Sequence, residues 1–405
     1  MKIGRQVPPS AAPIGWKDLW HGAIGIVVPQ QSIRLFEEEI RAHFGVRHAF
    51  LVSSGTAALT LTLMGLRSTS RRTEVVIPAY TCFSVPAAVL KAGLRPVLCD
   101  INPSTFDFDH TLLERTLNGN TLCVVAHHLF GIPSDIERVR ALCRARGIAV
   151  VEDAAQAMGV ESNGRALGTL GDVGIFSLGR GKHITCGSGG IIVTNSAHIA
   201  DAVGRLCRQL AASSLAEVLK DFAQIVLMAL FIRPRLYWLP AALPWLRLGQ
   251  TIFPKDVSLK RLSGMNAGVL REWRTRLSDS NRIRSETTTY FSQRLSLGLA
   301  NGPAHPYLRL PVFAATPAER DRIYSRSQQQ GLGVSVAYPT PINEIPEISA
   351  AFNGRRFPSA RRVAEHLLTL PIHHWLSEDD KRAIVECVGT SAGAFRPSAK
   401  WRKAS

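Results

Sequence analysis

Residues 148–159 read IAVVEDAAQAMG, and residues 171–195 read GDVGIFSLGRGKHITCGSGGIIVTN. Three short apolar runs in these stretches, at 148–153, 173–178 and 189–195, have the length and composition of buried strands. Polar or small residues flank these runs. Because ligands of open α/β sheets bind at the carboxyl ends of strands, we expect the chemistry of this protein to lie there.

The same alternation extends toward the N-terminus. The expected strands there are 74–78, 95–100 and 121–128. The expected helices are 34–44, one that begins with Gly55 and Thr56 as capping residues, 84–93, and 134–147 with Ser134 as its N-cap. Short apolar strands that alternate with helices indicate an α/β fold with a mostly parallel sheet covered by helices.

The pattern changes near residue 215, and it predicts four parts. These are an irregular, Pro-rich N-terminal arm (1–32), a large domain (33–258) with an apolar insertion at about 215–253, a small C-terminal α+β domain (259–390) and a basic tail (391–405). The expected elements of the small domain are helices at 263–297, 317–331 and 359–370 and strands at 306–313 and 334–339.

Composition excludes several classes of protein. With 48 Lys and Arg against 31 Asp and Glu the net charge is +17, and 46% of residues are hydrophobic, so the chain is globular. The Arg residues are dispersed and no zinc-finger spacing occurs, so we expect no nucleic-acid partner. Seven Cys without a CxxC pair, and no secretory signal, indicate a reducing, cytoplasmic location.

Four places at strand ends carry candidate chemistry. Ser53–Ala57 offers helix N-terminal N–H groups to an anion, and Asp153 could keep a ring nitrogen protonated. Lys182 is a candidate nucleophile between glycines, with a pKa that Arg180 would lower. The glycines of 187–190 permit a close backbone approach. Each feature alone also has a structural interpretation, as a helix cap, a surface charge or a turn.

Taken together and in this order, the motifs resemble the DegT/DnrJ/StrS family of sugar aminotransferases. The resemblance lies in SSGTAAL (53–59), VVIPAYTCFSVPAAVLKAGLRPVLCDI (75–101), VVEDAAQAMG (150–159) and 171–195, and it extends in outline over about 33–390. It implies fold type I, the cofactor pyridoxal 5'-phosphate, and a homodimer. No metal is expected.

The resemblance also assigns residues. Lys182 matches the lysine that bonds to the cofactor, Asp153 the partner of the pyridine nitrogen, and Gln156 the residue near the phenolic oxygen. The matching phosphate contacts are Gly55, Thr56, Ala57 and Ser177. The ring that stacks on the cofactor stays open among Tyr80, Cys82 and Phe83, and Phe83 is the candidate carried forward. His128 matches a recurrent family histidine, for which a structural hydrogen bond is the favoured role.

The implied reaction moves an amino group from an amino acid, with glutamate as the expected donor, to a nucleotide-linked keto-sugar, in polysaccharide or secondary-metabolite biosynthesis. The alternatives are a sugar dehydratase, other fold type I chemistry, and a non-catalytic cofactor-binding regulator. The chain departs from the family pattern at Leu178-Gly179 and at Ser188, which concerns the substrate pocket. The dehydratases typically replace the lysine, whereas Lys182 is present.

One further segment, 222–248, combines an apolar run with Trp and Arg. It is either a helix pair packed in the core or dimer, or a peripheral membrane contact. It is too short for a spanning helix.

Overall fold

A computed structural model describes residues 3–246, 248–249, 251–299, 302 and 304–389. The predicted basic tail, 391–405, lies outside these ranges. The α-helices are α1 (Trp16–Val27), α2 (Pro29–Phe44), α3 (Gly55–Ser68), α4 (Ser84–Lys91), α5 (His110–Thr116), α6 (Ile136–Arg144), α7 (Ala197–Gln209), α8 (Leu215–Phe231), α9 (Pro234–Ala241), α10 (Gly264–Val269), α11 (Trp273–Leu295), α12 (Pro317–Gln330), α13 (Pro358–His366) and α14 (Glu378–Gly389). The strands are β1 (His48–Val52), β2 (Glu74–Pro78), β3 (Arg95–Cys99), β4 (Thr121–His127), β5 (Ala149–Asp153), β6 (Glu161–Ser162), β7 (Arg165–Ala166), β8 (Val173–Ser177), β9 (Gly190–Thr194), β10 (Leu310–Phe313) and β11 (Leu367–Leu370).

Seven strands form the central sheet, in the order β1-β9-β8-β5-β4-β2-β3. The pairs β8/β5, β5/β4, β4/β2 and β2/β3 are parallel, and β9 runs antiparallel to both of its neighbours. The predicted mostly parallel sheet is therefore confirmed. Because β9 returns directly beside β8, the segment that carries Lys182 is held at the carboxyl end of β8.

Helices cover both faces of the sheet, as predicted. One apolar cluster joins the sheet to α3, α4 and α7, and it continues into β10, β11 and α12–α14. The other cluster joins the opposite face to α2, α5 and α6. The continuous apolar composition of the strands follows from this double coverage, since side chains on both faces are buried.

The N-terminal region differs from the prediction. The first 30 residues were expected to be irregular, but α1 occupies Trp16–Val27 and α2 begins at Pro29 instead of Arg34. No Ser, Thr or Asn precedes α1, and its first turn is closed by the Asp18 carboxylate, which accepts the Gly15 N–H at 2.7 Å. The missing N-cap signal explains the error.

Several smaller predictions are also wrong. Ser54 caps α3 in place of Gly55 and Thr56, and Asp135 caps α6 in place of Ser134. The expected strand at 334–339 is irregular, with a single bridge from Ser335 to Thr369 and a positive φ of 53° at Ala337. The expected helix at 359–370 ends at His366, because the next four residues pair with β10 as β11.

The apolar segment that begins near residue 222 belongs to α8 and α9. Ile225 is the buried residue of α8, whereas Leu227, Leu230 and Trp245 are 46–73% exposed. Packing of this segment in the core is therefore wrong for the single chain, whereas the dimer and membrane alternatives stay predictions. Among the described residues, none of the helices combines the length and the hydropathy that crossing a bilayer requires.

Candidate active site

The parallel strands bring the predicted site residues to one edge of the sheet. Asp153 is the last residue of β5 and Ser177 is the last residue of β8, and Asp153 pairs with Ile175 across the parallel ladder. Lys182 follows five residues after Ser177. The shared edge therefore places a carboxylate, a hydroxyl and an amine on neighbouring chain segments, as the strand-end argument predicts.

The N-terminus of α3 meets Ser177 at this edge. A Cβ on Gly55 would lie 2.7 Å from Cβ and 2.9 Å from Oγ of Ser177, so only glycine allows this approach. Gly55 and Thr56 are the first residues of α3, and their N–H groups have no intrahelical acceptor. The Ala57 N–H already donates to Ser54 Oγ at 3.0 Å. These contacts form a small anion-binding cradle in which Ala57 has the capping role rather than a free donor.

A second glycine closes the cradle from behind. A Cβ on Gly190 would overlap the carbonyl oxygen of Ser54, which confirms the close backbone approach predicted for this glycine-rich stretch. Ser188, where the family often has Glu, donates from Oγ to the carbonyl oxygen of Ser53 at 2.6 Å. Ser188, which departs from the family pattern, therefore links the loop before β9 to the loop before α3.

A polar cavity of about 410 Å³ adjoins the cradle. Ser54, Thr56, Ser188 and Lys260 line it, together with residues of α8. Lys182 and Asp153 do not line it. The cavity therefore adjoins the α3 end of the site, and its lining carries both carboxylates (Glu217, Asp221 and Asp256) and cations (Lys220, Lys260 and Arg261).

The segment between β8 and β9 holds Lys182 by backbone contacts. Its N–H donates to the Gly179 carbonyl at 3.3 Å, and the neighbouring Gly181 takes a φ of +73°. Ser10 of the N-terminal arm donates from Oγ to the Gly181 carbonyl at 2.8 Å. The Leu178 carbonyl accepts from Thr185 Oγ1 at 2.9 Å. These hydrogen bonds therefore hold the loop in an ordered turn, which is not a freely solvated surface loop.

The surroundings of the Lys182 amine lower its pKa. Burial lowers its pKa, and the Arg309 guanidinium lowers it further, while Asp153 and the Cys82 thiol act in the opposite direction. The predicted direction is confirmed, but the cation is different. Arg180 is exposed and donates to Gln224 Oε1 at 3.1 Å.

Asp153 is held by few contacts. Its Oδ1 accepts the Ala155 N–H at 3.0 Å, and burial raises the pKa of its carboxyl although Lys182 and His128 oppose the shift. A carboxylate that is desolvated and only partly hydrogen-bonded gains stability from a cation beside it. Asp153 is therefore suited to a protonated ring nitrogen.

His128 has the structural role that the sequence favoured. Its Nδ1 accepts the Ser134 N–H at 3.1 Å, so its Nε2 carries the proton and donates to Glu152 Oε1 at 2.7 Å. The Glu152 carboxylate also accepts the N–H groups of Gly168, Leu170 and Gly171 at 2.6–2.8 Å. Both side chains are fully buried and satisfied, and they leave no group free for substrate.

Gln156 connects the sheet edge to the C-terminal part. Its Oε1 accepts the Phe130 N–H at 3.0 Å, and its Nε2 donates to the Tyr338 hydroxyl at 2.8 Å. Tyr80 donates from its hydroxyl to the Tyr338 carbonyl at 3.1 Å. One Nε2 hydrogen of Gln156 therefore remains for an acceptor in the region between Asp153, Lys182 and Tyr338, which is called the cleft below.

The structure separates the three stacking candidates. The rings of Tyr80 and Phe83 are buried against Tyr338, with centroid distances of 5.8 and 6.3 Å. Cys82 is half-buried, and its thiol is the electrostatic neighbour of Lys182 and Arg309. Cys82 thus lies near Lys182, while the Phe83 ring packs on Tyr338, and the residue that stacks on the cofactor stays a prediction.

Two site residues were missed from the sequence. Tyr338 lies in a stretch that alternates like a strand, and Arg309 lies in PYLRLPVF, where a single charge between apolar residues indicates a solvent-facing position. Both reach the cleft only because the C-terminal part folds back on the sheet. No local signal in the sequence marks that contact.

Comparison with known proteins identifies the family. The sequence profile of the DegT/DnrJ/EryC1/StrS aminotransferase family matches residues 25–389, so the chain belongs to this family. Membership confirms the predicted fold type I architecture, the enzyme class and pyridoxal phosphate as the cofactor.

Individual relatives are similar over most of their length. A pleiotropic regulatory protein of Geobacillus stearothermophilus is 26% identical over 362 residues, covering 87% of each chain. A UDP-N-acetyl-3-dehydro-alpha-D-glucosamine 3-aminotransferase of Acidithiobacillus ferrooxidans is 26% identical over 350 residues, covering 85% of each. The crystal structure of the aminotransferase TlmJ from Streptoalloteichus hindustanus superposes with a TM-score of 0.76 at 24% identity, covering 95% of this chain and 98% of that one.

The residues at the sheet edge fit the cofactor of this family. The cradle at Gly55 and Ser177 would hold the phosphate, Asp153 the ring nitrogen, and Lys182 the aldehyde carbon. When bound, the cofactor supplies an electron sink for the carbanion formed at the reacting carbon. With the cofactor held in this way, the phosphate would lie at the start of α3 and the reacting carbon would lie at Lys182.

Proposed function

We propose that the protein transfers an amino group from an amino acid, with glutamate as the donor, to a keto-sugar that is linked to a nucleotide. The observation that carries the proposal is the retention of Lys182 beside Asp153 at a sheet edge built for the family's cofactor. The similarity to an aminotransferase of a nucleotide-linked keto-sugar supports the substrate class.

Each site residue has a task in this proposal. Lys182, with its lowered pKa, takes the proton from the reacting carbon of the donor and returns a proton for the acceptor. Asp153 keeps the ring nitrogen protonated through its charge. Gly55, Thr56 and Ser177 anchor the phosphate so that the ring stays in register with Lys182.

The positive charge of the chain supports anionic substrates. A net charge of +17 favours the approach of a nucleotide diphosphate and of a dicarboxylate donor. We also propose that the aminated sugar enters polysaccharide or secondary-metabolite biosynthesis.

Two alternatives are weighed against it. A sugar dehydratase typically lacks the lysine that this chain keeps as Lys182. One relative is named a pleiotropic regulatory protein, but a regulator that only binds the cofactor transfers no proton, whereas the lowered pKa of Lys182 suits proton transfer. Lys182 therefore favours catalysis.

The proposed assembly is a homodimer. The exposed apolar faces of α1 and α8 support it: Trp16, Trp20 and Val27 are 63–81% exposed, and Gly22 of α1 packs close to Phe222 of α8. Exposed apolar patches of this kind usually mark an interface. The double substitution Trp16→Ser and Leu219→Ser should convert the protein to a monomer, as measured by light scattering. Binding of the wild-type protein to anionic vesicles at low salt would favour the membrane interpretation of 222–248 instead.

Screening tests the reaction directly. The purified protein, loaded with pyridoxal phosphate, is incubated with L-glutamate and a panel of nucleotide-linked keto-sugars, and the products are read by mass spectrometry. We expect one keto-sugar to gain an amino group with release of 2-oxoglutarate. A protein that aminates no member of the panel, yet dehydrates one, would support the dehydratase.

A further inference from the structure

Residues 5–13 of the N-terminal arm run between the C-terminal part and residues 178–189, which carry Lys182 and are called the lysine loop below. Residues 5–15 form neither helix nor strand, yet Val7 is fully buried and Ala11 is 1% exposed. Terminal segments usually fray unless contacts with the rest of the chain hold them. The contacts of this arm therefore need an explanation.

The first half of the arm is fixed to the C-terminal part. The Val7 N–H donates to the Gly331 carbonyl at 2.8 Å. The Pro8 carbonyl accepts a hydrogen bond from Nε2 of the buried His373 at 2.8 Å. The backbone at residues 7 and 8 is therefore held at both an N–H and a carbonyl before the arm reaches the lysine loop.

The second half of the arm contacts the lysine loop. Ser10 donates from Oγ to the Gly181 carbonyl at 2.8 Å, and a Cβ on Gly181 would lie 3.3 Å from Cβ of Ser10. Arg276 of α11 donates from Nη2 to the carbonyl oxygens of Pro13 and Thr185, at 2.8 and 2.9 Å. The arm therefore touches the loop directly at Gly181 and is joined to it at Thr185 through a shared guanidinium.

The composition of the lysine loop makes such contacts important. The loop contains four glycines, at positions 179, 181, 187 and 189, and glycine loses more conformational freedom on ordering than any other residue. The carbonyl that accepts from Ser10 belongs to the same peptide group as the N–H of Lys182. Because the lysine side chain starts from this peptide group, the orientation of the peptide helps to set where the amine lies.

We infer that Ser10 is a positioning residue for Lys182, and that its hydroxyl holds the Gly181–Lys182 peptide group so that the amine meets the aldehyde carbon of the cofactor. For the amino-transfer step the inference rests on the proposed function. A displacement of about 1 Å at a reacting group can cost about 100-fold in rate. A contact one peptide group from Lys182 can therefore act on the reaction without touching the substrate.

A purely structural role is the alternative, and a second serine shows what that role predicts. Ser68, at the end of α3, donates from Oγ to the Gly65 carbonyl at 2.7 Å, which is the same kind of bond. Ser68 lies about 20 Å along α3 from Gly55, the residue that meets Ser177. If Ser10 only stabilised the fold, its removal should lower stability and leave the chemistry of Lys182 unchanged.

The reaction of Lys182 with the cofactor tests the inference without any substrate. Apoproteins of the wild type, Ser10→Ala, Ser10→Cys and the control Ser68→Ala are mixed with pyridoxal phosphate, and the rate constant for growth of the visible absorption band is measured. Cysteine is close to serine in shape but is a weaker donor. Urea unfolding gives the stability of each variant. The holoenzymes are then mixed with L-glutamate alone, which gives a second rate constant and a half-saturation concentration.

We expect Ser10→Ala to lower both rate constants by about tenfold, the upper worth of a neutral hydrogen bond, with the half-saturation concentration of glutamate within about twofold of the wild type. Ser10→Cys should fall between Ser10→Ala and the wild type, and Ser68→Ala should match the wild type. Attachment of the cofactor at the wild-type rate in folded Ser10→Ala, an equal loss in Ser68→Ala, or a change confined to the half-saturation concentration would overturn the inference.

The two rate constants separate failure of this inference from failure of the proposed function. If attachment of the cofactor depends on Ser10 but the wild type does not react with glutamate, the positioning role stands and the proposed donor is wrong. If glutamate reacts and attachment does not depend on Ser10, only the positioning role is wrong. Should Ser10→Ala not fold, folded Ser10→Cys decides: slower attachment than in the wild type supports the inference, and an equal rate overturns it.

Discussion

Glu152 and Asp153 are consecutive residues at the end of β5, but they face opposite sides of the sheet and have opposite surroundings. Although burial acts to raise the pKa of Glu152, its hydrogen bonds to His128 and to backbone N–H groups hold that pKa below its ordinary value. Burial raises the pKa of Asp153, which has one backbone donor. A carboxylate whose hydrogen bonds are all made by the protein stabilises the fold. A buried carboxylate with few such partners is available to bind a ligand.

The same difference separates Arg284 from Arg309. The first donates to protein carbonyls, while the second, in the described part of the chain, has no acceptor. In each pair the protein supplies several hydrogen-bond partners to one residue and few or none, among the described residues, to the other. The following substitutions test whether this division holds.

Among the substitutions that test this comparison, Asp153→Asn should have the largest effect on activity. Removing the charge that keeps the ring nitrogen protonated should lower kcat by about 10²- to 10³-fold, the usual worth of a preorganised electrostatic contact. Stability should change in the other direction. Because the folded apoprotein raises the pKa of Asp153, ionisation opposes folding as the pH rises above about 3.9. The asparagine apoprotein should therefore be at least as stable as the wild type at pH 7, measured by urea unfolding.

Glu152→Gln should have the opposite pattern. The folded state lowers the pKa of Glu152, so its charge stabilises the fold at neutral pH, and that stability is lost as the pH falls through the folded-state pKa. We expect unfolding free energy to fall by about 2–3 kcal/mol at pH 7. The difference from the wild type should shrink below pH about 4.

Two further measurements, the stability of a control variant and the kcat of Glu152→Gln, check this prediction. The exposed control Glu114→Gln should change stability by less than about 0.5 kcal/mol. The kcat of folded Glu152→Gln should stay within a few-fold of the wild type. A large loss of kcat with unchanged stability would contradict the assignment of a structural role to Glu152 and a functional role to Asp153.

Gly55→Ala should give the smallest of these effects. The added methyl group would meet Ser177 at 2.7 Å, so the cradle must open, at a cost of about 1–3 kcal/mol. We expect cofactor affinity to fall at least about tenfold, measured by fluorescence titration of the apoprotein. Gly119→Ala meets nothing within 4 Å and should bind the cofactor normally.

The place of the site in the fold was predictable from the sequence. The strand-end motifs placed Asp153, Gln156, Ser177 and Lys182 correctly at one edge, because parallel strands bring their carboxyl ends together. The helix α1 was not predicted, since its first turn is closed by Asp18 and its neighbours are Pro-rich. Local signals thus suffice where the chain forms the site within one sheet.

Contacts that are distant in sequence were not predictable. Arg309 and Tyr338 reach the cleft through the packing of β10 and the 334–339 segment on the sheet, and α8 exposes leucines that look like core in the sequence. Their roles depend on which groups remain unpaired after folding. That property appears only when every donor and acceptor has been placed.

Chemical labelling of Lys182 tests the central claim most directly. The holoenzyme is reduced with borohydride, digested, and mapped by mass spectrometry, with Lys182→Ala as the control. The account predicts that the reduced cofactor is found on the peptide that contains Lys182, and that Lys182→Ala carries no label and loses activity by about 10⁴-fold or more. Label on another lysine, or an active Lys182→Ala protein, would contradict it.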